Sequence, residues 1–273
     1  MTELKPEVTA ALVGGTLDAP FDVLGIHPTG SVDGKVVRAF LPWARSVAVV
    51  RDDKRTPMQR EHDAGLFFAA FPDRDFFTYR FAVEDAQGRV WEMEDPYRFG
   101  PAVDETRVRR FLEGREYRVH QVLGARPIVH EGVAGTLFAV WAPHARAVAV
   151  TGDMNGWDGR CHPMRPRGDT GVWELFVPGV GSGARYKYRI VDSHGAVREK
   201  ADPCGRAVEL RPATASEVWH QDEYEWGDGT WMARRTELNA DDAPISVYEV
   251  HLGSWRRDPD RAEDEPGWRT YRK

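Results

Sequence analysis

VVRAFLPWARSVAVV, residues 36–50, returns about a hundred residues later as LFAVWAPHARAVAVT, residues 137–151, so that Pro42 falls on Pro143, Arg45 on Arg146 and Val47 on Val148. The correspondence continues downstream: PMQREHDAGLFFAAFP (57–72) answers PMRPRGDTGVWELFVP (163–178), and FTYRFAVEDAQGRVWEMEDP (77–96) answers YKYRIVDSHGAVREKADP (186–203). Self-similarity at this period marks two tandem domains of one fold, because solenoid repeats are far shorter. Inside each copy, short runs such as Val36–Leu41, Ser46–Val50, Gly65–Phe71 and Phe76–Val83 are rich in β-branched and aromatic residues and alternate with Gly, Pro and Asp turns. That spacing predicts a mainly β chain built of two antiparallel sandwiches of immunoglobulin-like shape. Asp85–Gly88 and Asp192–Gly195 occupy one place in both copies and read as hairpin turns.

The repeat sets the domain boundaries. Residues 1–19 hold a short amphipathic helix on Leu4, Val8, Ala11 and Leu12, residues 20–115 form the first module and residues 116–230 the second. Asp104 to Glu116 reads as a short helical connector. Residues 231–273 are a linker and the start of a third, unfinished unit from near Pro244.

Of 273 residues, 37 are basic and 43 acidic, and the basic ones are scattered, which argues against the basic stripe of a nucleic-acid binder and favours an uncharged partner. Cys161 and Cys204 are too few for a disulfide framework and read as reduced thiols. The start, MTELKPEVTAALVGG, lacks the basic cluster and apolar core of a secretory signal, and no apolar run is long enough to span a bilayer. The expectation is a cytoplasmic protein with no membrane partner. His144 and His162 are isolated, no His/Cys pair has zinc spacing, and no glycine-rich phosphate loop occurs, so neither metal nor nucleotide cofactor is implied. Asp258–Asp260 and Glu263–Glu265 read as a charged loop.

Ten tryptophans pose the question of which is not core. Trp43, Trp91, Trp141 and Trp173 lie in strand patterns and are assigned to the cores, and Trp219, Trp226 and Trp231 to the junction after the second module. Trp157 differs. Where the first copy has Val50-Arg-Asp-Asp-Lys54, the second has Thr151-Gly-Asp-Met-Asn-Gly-Trp-Asp-Gly159, a loop of residues that tolerate left-handed backbone with one large aromatic among them. A sugar offers an apolar C–H face and a rim of hydroxyls, so an aromatic beside Asn155, Asp153 and Lys187 suits carbohydrate.

GDMNGWDGRCHPMRPRGDTGVWELFVPG, with the later PISVYEVHLGSWRR, resembles the amino-terminal portion of the bacterial glycogen branching enzymes of glycoside hydrolase family 13. The resemblance implies an N1 module at about 20–115, a family 48 carbohydrate-binding module at about 116–230, and the first strand of a catalytic (β/α)8 barrel at Ile245–Leu252. It further implies a parent that moves α-1,4-glucan segments to form α-1,6 branches in glycogen biosynthesis, by a retaining reaction between two carboxyl groups roughly 5 Å apart. The motifs that carry that pair in the family do not occur in these residues, and one strand cannot close a barrel, so the resemblance implies no catalytic residue here. Glu249 and His251 read as strand-end residues, and Asp241-Asp242 as a solvated linker. By the same resemblance Trp157, Lys187 and Asn155 would contact α-1,4-glucan or glycogen. The binding would be weak, because the second tryptophan that relatives present from a hairpin turn is missing at Asp192–Val197. A chain with such parts is expected to be a fragment supplying glucan-binding and domain-packing modules without chemistry of its own. The alternatives are a stand-alone glucan-binding protein or a purely structural pair of sandwiches, and a debranching enzyme or maltooligosyltrehalose hydrolase is the second parent.

Overall fold

The computed structural model describes residues 4–29, 34–73, 75–220 and 225–256. The chain divides into two units, residues 1–222 and 223–273, and both repeats lie in the first. The first module contains β1 (Gly25–Pro28), β2 (Lys35–Phe40), β3 (Ala44–Arg51), β4 (Lys54–Pro57), β5 (Gln59–His62), β6 (Leu66–Phe71), β7 (Arg80–Asp85) and β8 (Val90–Met93). They form two antiparallel sheets, β1-β2-β6-β5 and β4-β3-β7-β8. The second module contains β9 (Gly124–His130), β10 (Val133–Trp141), β11 (Ala145–Gly152), β12 (Arg165–Pro166), β13 (Val172–Pro178), β14 (Arg185–Asp192), β15 (Val197–Lys200), β16 (Ala207–Val208) and β17 (Ser216–Glu217). Its sheets run β12-β13-β10-β9 and β11-β14-β17-β16, with β15 on the side of β14.

The repeated fifteen residues are therefore an arch rather than a hairpin. β2 and β10 sit in one sheet of their module and β3 and β11 in the other, and the Pro42 or Pro143 turn carries the chain across. Each arch has a register shift at the same place, between Ala44 and Ser46 and between Ala145 and Ala147. Val47 and Val49 in the first copy, and Val148 and Val150 in the second, turn into the cores between the sheets. The period of two in the sequence is that of strands with one face on a core.

A buried polar lock recurs in both modules. The Tyr79 hydroxyl donates to Asp95 Oδ2 at 2.6 Å, and Asp95 Oδ1 accepts the backbone N–H of Tyr97 at 2.9 Å. In the second module the Tyr186 hydroxyl donates to Asp202 Oδ2 at 2.6 Å, Tyr188 reaches the same oxygen at 3.3 Å, and Asp202 Oδ1 accepts the N–H of Cys204 at 2.7 Å. Both aspartates precede a proline that ends the edge strand's pairing. The turn then presses on a glycine of its own module: a Cβ at Gly25 would stand 2.8 Å from the Tyr97 carbonyl oxygen, and one at Gly124 3.0 Å from that of Cys204. Those glycines have φ of +90° and +99°, a region that side chains disfavour.

Both glycines end the tripeptide Val-Leu-Gly, which extends the repeat upstream. α1 (Pro6–Val13) starts on a proline at its first turn, and α2 (Glu105–Leu112) is capped by Asp104, whose carboxylate accepts the N–H of Arg107 at 2.8 Å. α1 lays Leu12 on Val23, Leu24, Phe40 and Leu66, and α2 lays Val108 and Phe111 on Val122, Leu123, Leu137 and Phe176. Each repeat is thus helix, turn, Val-Leu-Gly and sandwich. By packing, α2 goes with the second module.

Three tryptophans leave their expected places. Trp173 is buried, but Trp43, Trp91 and Trp141 are 36%, 39% and 47% exposed. Trp91 pairs with Val83 and faces the core side, but on the edge strand β8 its ring closes the open side of the sandwich, stacked on Trp43 at 5.3 Å and 7°. Trp141 points to the outer face, edge-on to Phe111 at 5.9 Å, with its indole N–H donating to Thr170 O at 3.2 Å. The barrel strand expected at Ile245–Leu252 is not shown among the described residues. The second unit holds α3 (Gly229–Leu238) and the short α4 (Leu252–Trp255), and between them Ile245, Val247 and Tyr248 are exposed in non-regular backbone. A strand exists only through its neighbours' hydrogen bonds, and residues 245–251 have no ladder partner among the described residues. The charged run 258–265 lies outside the described residues. No helix among the described residues is long and apolar enough to cross a membrane.

Two measurements check the lock and the second unit. Burial raises the Asp95 pKa from 3.8 to about 6, against the opposing hydrogen bonds from Tyr79 and Tyr97. The folded state then holds its proton more tightly than the unfolded, so stability from this group is full below about pH 4 and is lost as pH rises through about 6, a change on the order of 3 kcal/mol. Urea unfolding of wild type and Asp95→Asn across that window should show this slope in the difference. Backbone amides of Val247 and Val250 should exchange with deuterium far faster than those of Phe138 and Val148; equal protection would overturn the reading of the second unit.

Candidate functional site

The loop leaving β11 is the place where the two modules diverge most. β3 returns through a tight turn at Asp52 and Asp53, both with positive φ, whereas β11 opens at Gly152 into a single 3-10 turn, Asp153–Asn155. Asn155 organises the rest of the loop. Its Oδ1 accepts the Gly152 N–H at 2.9 Å, and its Nδ2 donates to Val150 O at 3.0 Å and to His162 Nδ1 at 2.9 Å. The residue is 7% exposed, and both of its amide hydrogens are bonded inside the loop. Asn155 thus shapes the loop, and its expected contact with a ligand is not shown.

Trp157 is delivered by that scaffold. Its backbone adopts φ +65°, while the ring is 37% exposed. Left-handed backbone costs a bulky residue about 1–2 kcal/mol, and it persists only where the surroundings dictate it. Here the Trp157 N–H donates to Gly152 O at 2.9 Å, and the indole N–H donates to Asp153 Oδ1 at 3.2 Å. Asp153 in turn is clamped by Arg185, whose Nε and backbone N each lie 3.0 Å from Oδ2 and whose second nitrogen lies 3.0 Å from Oδ1. The Arg185 hydrogen bonds, ahead of burial, hold the Asp153 carboxyl below the usual carboxylate range. The far side of the loop is tied by Arg160 on Asp158 at 2.7 Å.

Lys187 is half-buried on β14, in register with Thr151, and points away from the core that Tyr186 and Tyr188 enter. It sits one position from where β11 gives way to the Trp157 loop, so the structure brings Trp157 and Lys187 to one end of one sheet. The Asp192–Gly195 turn lies at the opposite end of the same strand pair, since Asp192 pairs with Ala145, roughly 20 Å away by strand rise. The loop roles of Arg185 and of His162, which looks isolated in the sequence, are not visible there. These two residues are 32 and 7 residues from their loop partners, and only the β11–β14 register and the loop's closure bring them in. No group of three metal-ligating side chains occurs among the described residues.

An exposed aromatic on a rigid loop at the end of an immunoglobulin-like sandwich is an arrangement for a flat, hydroxyl-rimmed ligand. Residues 122–205, within the second module, match the family model for carbohydrate-binding module 48 (isoamylase N-terminal domain). Residues 5–97 match the model for the N-terminal domain of alpha-1,4-glucan branching enzyme GlgB. The chain is 47% identical over 259 residues to the 1,4-alpha-glucan branching enzyme GlgB of Rubrobacter xylanophilus, covering 94% of this chain and 35% of that one. It is 46% identical over 251 residues to the enzyme of the same name from Paramagnetospirillum magneticum, covering 92% and 33%. The chain matches the amino-terminal portion of the 1,4-alpha-glucan branching enzymes and spans about a third of the length of these curated relatives. A solved pullulanase of Bacillus subtilis complexed with maltose aligns with a TM-score of 0.33 at 18% identity, over 74% of this chain and 27% of that one, too loosely to bear on the site.

Replacing Asn155 by alanine removes three hydrogen bonds and should cost about 2–3 kcal/mol in urea unfolding. The same variant should raise the mobility of Trp157, read as lower fluorescence anisotropy relative to an otherwise identical protein with Asn155 intact.

Proposed function

We propose that the second module holds a segment of α-1,4-glucan against Trp157, with Lys187 contacting its hydroxyls, on behalf of a branching enzyme that transfers α-1,4-linked segments to form α-1,6 branches. The observation that carries this reading is the Trp157 backbone, held in a left-handed conformation by Asn155 and Asp153 with the ring left open. Stacking on one aromatic contributes only about 1 kcal/mol beyond area burial, so affinity is low, near the millimolar range where binding energy is about 4 kcal/mol. The unpaired thiols of Cys161 and Cys204 suit a reducing compartment, and cytoplasmic residence is part of the proposal.

A packing role has support of its own. Tyr97 of the first module donates its hydroxyl to Pro163 O at 3.2 Å, Arg165 of the second donates to Phe99 O at 3.1 Å, and Arg189 donates to the Gly15 carbonyl. In electrophoresis through glycogen-containing gels the wild type should be retarded, Trp157→Ala should migrate freely, and Lys187→Ala should lose several-fold in affinity. A wild type that migrates unretarded leaves only the packing role.

A further inference from the structure

The two modules meet along a cleft of about 360 Å³ with walls from both. Met93, Glu94 and Pro96 of the first module face Met154, His162 and Val180 of the second. That volume falls within the range of about 300–1,000 Å³ usual for small-ligand sites. The lining is mixed: thioethers, a proline and a valine form apolar walls, and a carboxylate and an imidazole supply polar atoms.

The protonation of that imidazole is set by its neighbour. Because Asn155 Oδ1 accepts from Gly152, its amide orientation is fixed, and Nδ2 has one hydrogen for Val150 O and one for His162 Nδ1. A ring nitrogen that accepts carries no proton, so His162 is the Nε2–H tautomer. The residue is only 9% exposed, and burial lowers its pKa to about 4, which keeps the ring neutral. Nε2–H has no hydrogen-bond partner among the described residues and is not among the fully buried atoms, so it is open to the cleft. On the facing wall Arg98 takes Glu94 Oε2 at 2.9 Å, and Oε1 has no partner among the described residues.

A ligand that satisfies both walls must accept from an imidazole N–H, donate to a carboxylate, and present apolar C–H surface to methionine and valine. Glu92 is paired with Arg55 and Arg80 and Glu94 with Arg98, so the wall presents no uncompensated carboxylate and suits an uncharged ligand. A pyranose meets each condition, since every hydroxyl both donates and accepts. We infer that the cleft is a second α-glucan site, taking one or two glucosyl units with His162 Nε2–H and Glu94 as polar contacts. The choice of ligand class rests on the glucan reading of the second module. Met154 lines the cleft from the loop that carries Trp157, and Asn155 beside it bonds His162, so the two sites share one loop.

The test is titration of the imidazole-15N-labelled 273-residue protein with maltotetraose at about pH 5, where exposed imidazoles are mostly charged and His162 is not. The expected result is a saturable shift of the His162 Nε2 resonance that persists in Trp157→Ala and is lost in Ala134→Trp, whose indole fills the cleft from an exposed strand position. A silent His162 in the wild type overturns the proposal. So does loss of the shift in Trp157→Ala, which would mark it as relayed through the loop, and so does its survival in Ala134→Trp. Glycogen-gel retardation reads the Trp157 site separately: retardation with a silent His162 removes the cleft alone, and a His162 shift without retardation removes the Trp157 reading alone.

Discussion

The buried tyrosine–aspartate lock is the constraint on which both sandwiches depend. A carboxylate taken from water to the interior is expensive unless hydrogen bonds meet it, and each aspartate meets a phenol on one oxygen and a backbone N–H on the other. The phenol stands at the start of a core strand, Tyr79 just before β7 and Tyr186 at the second position of β14, and the N–H belongs to the segment leaving the edge strand, so the lock joins the sandwich interior to the exit of the chain. That exit then rests on Gly25 or Gly124, the start of the module's first strand. One polar contact thereby fixes where each module begins and ends. The second copy is the stronger version, with Tyr186 and Tyr188 on one oxygen, and it belongs to the module that carries the exposed loop.

The two copies show how one frame tolerates different ends. Outside the lock and the arch, the first module has closed its openings: a tight turn after β3, a stacked tryptophan pair over the sandwich edge, a helix over the outer sheet. The second has kept its helix but opened the turn, and the strain at Trp157 is offset by an asparagine amide whose two N–H groups are both bonded within the loop. The intermodular contacts through Tyr97, Arg165 and Arg189 hold that loop from behind, so the first module supports the divergent end of the second.

Much of the architecture was legible in the sequence. Alternating Val47/Val49 and Val148/Val150 marked strands with one face on a core, and Asp-x-x-Gly marked both hairpin turns, because these patterns depend on neighbours in the chain. Placement of the large aromatics was less legible, since strand period tells which face Trp91 takes but not that β8 is an edge. The helices were seen singly, as an N-terminal piece and a connector; the Val-Leu-Gly downstream of both was the available sign that they open equivalent units. Trp157 and Lys187 were readable from a loop insertion and a strand motif. The roles of Asn155, Arg185 and His162 were not, because they are set by hydrogen bonds between segments that only the register of β11 on β14 brings together. The run 245–252 has strand composition and no strand, which shows that composition licenses a strand but partners make it.

The parallel indoles of Trp43 and Trp91 have an optical consequence. Two chromophores 5.3 Å apart with their planes inclined by 7° have coupled transition dipoles. Their excited states are shared, and their coupled absorption differs from that of two separate indoles. That coupling exists only while β8 stays docked at the edge of the first sandwich. The molecule thus contains an intrinsic optical marker for one module, and closure of the first sandwich can be followed by light without a label and apart from its neighbour.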